Sequence, residues 1–116
     1  MLTRIVHCQK DRYDVYIGRS MPRYRLTQSI FHNPFRIGPD GDRNEVLAKY
    51  RVHATKLIDT NPLFKKGVMN LRGRTMGCWC CKTPVTTIRP PDEQICHGEI
   101  LAELSENLFE SGTTCI

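Results

Sequence analysis

A chain of 116 residues, 40% hydrophobic and 25% charged, is long enough for one hydrophobic core and too short for two. The composition excludes a disordered or collagen-like chain, and no stretch is apolar enough to span a membrane. The net charge of +5 fits an anionic partner such as a nucleotide or nucleic acid, and equally fits a solvated basic surface.

Met1-Leu2-Thr3-Arg4-Ile5-Val6-His7 enters a strand-like run directly, without a signal-peptide core, so a cytoplasmic protein with no membrane partner is expected. In that compartment six cysteines point to metal ligation, catalysis or burial rather than to a disulfide framework.

Two strands are expected at 3–8 and 14–18, with Ile5, Val6, Val15 and Ile17 facing the core and Gln9-Lys10-Asp11-Arg12 between them. Gly18-Arg19 then ends the second strand where backbone can approach a ligand. Residues 19–41 form a long irregular loop carrying Arg19, His32, Asn33-Pro34-Phe35 and Arg36. Loops of that length in compact domains are often functional. Asn33, restricted by Pro34 to an extended backbone, can aim its amide in one direction, although Asn-Pro is also an ordinary turn dipeptide.

Asp42 and Glu45 have capping-box spacing before a helix over 43–59, whose apolar face is Val46, Leu47, Tyr50, Ala54, Leu57 and Ile58. Asn61-Pro62 starts a second helix over 62–71, with Leu63, Phe64, Val68 and Leu71 on its apolar face. A third strand follows at 74–80, where alternation sends Cys78 and Cys80 to one face and Trp79 to the other. The Pro-containing stretch up to Gln94 suits a loop. A last helix over 97–110 has Ile100, Leu101, Leu104, Leu108 and Phe109 as its core face, and 112–116 is expected to be a flexible tail.

Gly77 to Gly98 holds Cys78, Cys80, Cys81, Cys96, His97 and the single tryptophan. Three accounts fit this cluster. Cys78, Cys80, Cys96 and His97 could bind zinc, with Cys81 able to replace one of them, although the one-residue and zero-residue gaps depart from ordinary zinc-ligand spacing. Alternatively the helix start lowers the Cys96 pKa and lets an anion approach Gly98, while Cys80 and His97 supply a second thiol and a proton-transfer group. In the third account Cys78 or Cys96 merely packs, as free cysteines commonly do.

Val15-Tyr16-Ile17-Gly18-Arg19, Asn33-Pro34-Phe35, Asp42-Arg43 with Tyr50, Leu71-Arg72-Gly73, Gly77-Cys78-Trp79-Cys80 and Cys96-His97-Gly98 with Ile100 to Leu104 together resemble domain-of-unknown-function family 4326 (DUF4326), found in phages, other viruses and bacteria. The resemblance covers most of the chain and brings no established activity. It implies that Arg19, Asn33, Cys80, Cys96 and His97 converge on one site, and that the compartment is the host cytoplasm if the chain is viral. Family members join the two cysteine motifs by a short Pro-containing turn, whereas 81–95 is here an insertion able to form a flap.

The expectation is therefore one α/β domain over 1–116, with a short mixed sheet packed by about three helices. Its site would hold a nucleotide or nucleic-acid-like anion, with Cys80, Cys96 and His97 as catalytic groups and Arg19, Asn33, Arg36 and Gly98 as ligand-binding groups. The alternative is a non-catalytic adaptor with structural zinc on Cys78, Cys80, Cys96 and His97 and a basic interaction surface.

Overall fold

A computed structural model describes residues 3–80, 84–86 and 89–114. Three short strands, β1 (Arg4–His7), β2 (Val15–Tyr16) and β3 (Thr75–Cys78), form one sheet in the order β1-β3-β2. Three helices, α1 (Arg43–Thr60), α2 (Pro62–Asn70) and α3 (His97–Thr114), pack on one another, and α3 also lies against β1. The domain is α/β.

The strands are parallel throughout rather than mixed. Ile5 stands opposite Met76 on one side of β3, and Val15 opposite the same Met76 on the other. The chain must pass through α1 and α2 before β3, and a connection of that length is what parallel pairing requires. An antiparallel bridge joins β1 to Val85: Ile5 and Val85 exchange backbone hydrogen bonds of 2.9 and 2.8 Å. It covers the outer edge of β1, where unpaired amides would otherwise face solvent.

The helix starts follow from local chemistry. Asp42 accepts from the Glu45 amide at 2.8 Å, and Glu45 accepts from the Asp42 amide at 3.2 Å, closing the capping box of α1. Asn61 caps α2 by accepting from the amides of Leu63 and Phe64, with Pro62 in the first turn. A turn with Gly73 in the left-handed region leads from α2 into β3.

Ile5, Ile17, Tyr50, Val68, Leu71, Met76, Ile100 and Leu101 are all essentially inaccessible and form one core between sheet and helices. Two residues assigned to core faces by periodicity lie elsewhere. Leu63 is 78% exposed, because it occupies the first turn of α2 beyond its neighbours. Phe109 is half-exposed, and the Arg72 guanidinium lies over its ring at 3.7 Å, a cation–π contact that replaces burial.

Candidate functional site

The segments after β2 and β3 and the start of α3 meet at the carboxyl end of the sheet, the usual ligand position in open parallel α/β sheets. A cavity of about 500 Å³ opens there. Gly18 and Arg19 reach it from β2, Trp79 and Cys80 from β3, and His97 from α3. Asn33, Phe35, Arg36 and Ile37 come from the long loop, while Arg43, Val46 and Leu47 come from the first turns of α1. Met21 and Ile95 complete the wall.

Arg19 organises the loop. Its Nε and one terminal nitrogen donate to the Asn33 carbonyl at 3.0 and 2.7 Å, and the same terminal nitrogen donates to the Phe35 carbonyl at 2.6 Å. The Asn33 side chain accepts from the Phe35 amide at 2.9 Å, so Asn33-Pro34-Phe35 is a tight turn wrapped on the guanidinium. Its amide oxygen serves that turn. Tyr50 fastens the preceding segment by donating to the Phe31 carbonyl at 2.7 Å.

His97 is buried, and its Nε2 lies 2.7 Å from the Ile17 carbonyl oxygen. A carbonyl only accepts, so Nε2 carries the proton and Nδ1 is left as the ring's acceptor. Burial pushes the His97 pKa down, and Arg19 and His32 nearby push the same way against the Ile17 hydrogen bond and Cys80. The imidazole is therefore held neutral near pH 7. The Tyr50 ring meets its ring edge-on at 5.0 Å.

Strand β3 ends at Cys78, and Trp79-Cys80 turns out of the sheet. Strict alternation stops there, which lets Trp79 and Cys80 both line the cavity instead of facing opposite sides. The indole N–H of Trp79 donates to the Tyr16 hydroxyl at 2.8 Å, and that hydroxyl donates to the Arg19 carbonyl at 2.6 Å. Tyr24 and His7 pack on the indole at 5.2 and 5.5 Å between ring centres. The aromatic wall is thus tied to the arginine that shapes the loop.

Arg19, Asn33, Arg36, Cys80 and His97 line the cavity, whereas Cys78, Cys96 and Gly98 lie in the core beside it. The expected anion-receiving helix start is occupied from within. The buried Glu99 carboxylate accepts from the amides of Ile95 and Cys96 at 2.7 and 3.1 Å and from Arg89 at 2.6 Å. The Gly98 amide donates to the Cys96 sulfur at 3.4 Å, and Ile17 and Ile5 fill the space where a Gly98 side chain would project.

Nor do the four proposed zinc ligands fit a zinc ion as they are placed. The sulfurs of Cys78 and Cys96 are 3.1 Å apart, while two thiolates bound tetrahedrally to one zinc stand about 3.8 Å apart. Among the described residues no three His, Cys, Asp or Glu side chains are arranged to hold a metal. Cys81 and Cys115 lie outside the described residues.

Cys80 is the exposed thiol among Cys8, Cys78, Cys80 and Cys96. Its pKa is raised, first by its hydrogen bond to Cys78 and then, against a smaller lowering by Cys96, by burial. Sequence reasoning passed over Arg43, Phe35 and Trp79 as parts of one wall. The signal for Trp79 was available, since a lone tryptophan between two cysteines sits at the end of the strand that delivers the site.

No helix among the described residues is long and apolar enough to cross a membrane. No solved structure matches the chain. An uncharacterized protein of Acanthamoeba polyphaga mimivirus is 38% identical over 109 residues, covering 90% of this chain and 78% of the relative. The family model described as Domain of unknown function (DUF4326) matches residues 3–107, the span that includes both the loop turned by Arg19 and the cysteine-rich strand end, and the chain belongs to that family.

Proposed function

We propose that the cavity binds a single nucleotide or a nucleotide-like anion, with its phosphate at the arginine rim and its base against the aromatic wall. The observation that carries this is the placement of Arg19, Arg36 and Arg43 around a cavity walled by Trp79, Phe35, Val46 and Leu47. Guanidinium groups match phosphate geometry, and an indole face suits stacking with any base. Neither Arg36 nor Arg43 forms a salt bridge with a described carboxylate. A volume of about 500 Å³ suits a mononucleotide and is too small for a duplex. Neutral His97 offers an acceptor for proton transfer, and Cys80 places a thiol beside the bound molecule.

The test is a melting screen with nucleosides, nucleoside mono-, di- and triphosphates, inorganic phosphate and short oligonucleotides. A phosphorylated ligand at ~100-fold excess over its dissociation constant adds ~2.7 kcal/mol of stability, and its parent nucleoside adds much less. Arg36→Ala and Arg43→Ala, both on exposed residues, should abolish the shift without lowering the ligand-free melting temperature. An adaptor that uses only its basic surface would respond to oligonucleotides and to ionic strength, with no saturable response to mononucleotides. That pattern, or no response at all, would overturn the assignment.

A further inference from the structure

The thiols of Cys78 and Cys96 touch. Their sulfurs lie 3.1 Å apart although the residues are 18 positions apart in the chain, one ending β3 and the other preceding α3. Both are buried, at 1% and 0% exposure, so no dissolved oxidant reaches either directly. Cys80 follows Cys78 by two residues, is exposed and lines the cavity. An accessible thiol thereby stands two residues along the chain from a buried, nearly bonded pair.

We propose that Cys80, Cys96 and Cys78 form an oxidisable relay that reduces a peroxide at Cys80 and stores the oxidation as a Cys78–Cys96 disulfide. The Cys80 thiolate attacks one peroxide oxygen; the O–O bond breaks, the leaving hydroxide takes a proton to become water, and Cys80 becomes a sulfenic acid. Cys96 then attacks the Cys80 sulfur, the S–O bond breaks and a second water leaves, giving a Cys80–Cys96 disulfide. Finally Cys78 attacks the Cys96 sulfur and releases Cys80, which takes up the proton that Cys78 gave up. Two thiols and one hydrogen peroxide become one disulfide and two waters, with two electrons passing from sulfur to oxygen.

Geometry selects the final pair. Closing 3.1 Å to a bond of about 2.05 Å needs a shift of roughly 1 Å, shared between a strand end and a helix start. The Gly98 amide, which donates to the Cys96 sulfur, favours that sulfur as a thiolate when it attacks. The relay involves no bound nucleotide, so it stands or falls separately from the proposed function.

The reduced full-length protein is exposed to hydrogen peroxide, unfolded in an alkylating agent and digested with chymotrypsin. Cleavage after Trp79 separates Cys78 from Cys80, added trypsin cuts after Lys82 and separates Cys80 and Cys81 from Cys96, and cleavage after Leu101 separates Cys96 from Cys115. The expected product is a cross-linked pair of peptides carrying Cys78 and Cys96, with two hydrogens lost per chain and the bond removed by dithiothreitol. Cys80→Ser should slow its appearance about tenfold or more while leaving circular dichroism unchanged, because the buried pair then lacks an entry point. Recovery of Cys78 and Cys96 as alkylated thiols with Cys80 over-oxidised would overturn the relay. So would bonds formed only to Cys115 or between chains, or an undiminished rate in Cys80→Ser.

Discussion

His97 donates through Nε2 to the Ile17 carbonyl, tying the first turn of α3 to the residue that follows β2. This bond needs only a neutral ring, and burial lowers the His97 pKa below 6.5 in the folded protein. The unfolded chain therefore takes up a proton before the folded one does, and stability is complete above about pH 6.5 and declines as pH falls below it. Urea titrations at pH 7.5 and 5.5 should show that loss, with a slope of at most ~1.4 kcal/mol per pH unit from this residue. His97→Gln should remove the part of the slope that His97 contributes and leave the part from His53, whose pKa burial also lowers. A wild-type stability that does not change between those pH values would contradict the assignment.

Arg19 should matter to the loop more than its charge implies. Three hydrogen bonds converge from its guanidinium on the carbonyls of Asn33 and Phe35, and Lys cannot reproduce a planar fork. Arg19→Lys is expected to cost about 1.5–3 kcal/mol and to speed amide exchange around 33–36, whereas Arg36→Ala should change neither. Hydrogen-exchange mass spectrometry distinguishes the two.

Glu99 is a buried carboxylate that serves three donors at once: Arg89 and the amides of Ile95 and Cys96. Glu99→Ala removes the carboxylate from Arg89 and frees the start of α3, at a cost of about 3–5 kcal/mol. Chemical denaturation gives the number directly, and a loss under 1 kcal/mol would mean that water replaces the carboxylate.

Gly98→Ala should destabilise by about 1–3 kcal/mol through overpacking, because the new methyl would stand 2.8 Å from Ile17 and 3.1 Å from Ile5. Gly77→Ala should act similarly, since the Tyr13 ring lies 2.6 Å from that position. Tyr13→Ala should rescue Gly77→Ala and leave Gly98→Ala unchanged, which a double-mutant comparison of melting temperatures can read.

Alkylation of the native protein should modify Cys80 ahead of Cys8, Cys78 and Cys96, because only Cys80 among them is exposed. Its raised pKa means the rate keeps climbing above pH 9.0. A plateau by pH 7 would show a thiolate already formed.

The helices were legible because their signals are local. Asp42 with Glu45, and Asn61 with Pro62, mark starts that the structure reproduces to the residue. Strand order was not legible, since nothing near Arg4 or Val15 says that β3 will come between them. Of the site, Arg19, Asn33, Arg36, Cys80 and His97 could be picked out by residue type and position. That Cys96 and Gly98 face the core depends on Ile5 and Ile17, which lie far away in sequence. Periodicity also carried the strand past Cys78, where it ends, and so set Trp79 and Cys80 on opposite faces.

The central position of β3 has a consequence for how the molecule is made. Its strand is the last of the three to leave the ribosome, yet it lies between the two that emerge first. Until Cys78 has been synthesised, β1 and β2 have no shared partner and would stand two strand spacings apart, about 9–10 Å. The nascent chain can form α1 and α2 early, from local signals, before β3 takes its place between β1 and β2. Its cavity is lined by residues from before β3, from the end of β3 and from α3, so its whole wall exists only once His97 has also been made.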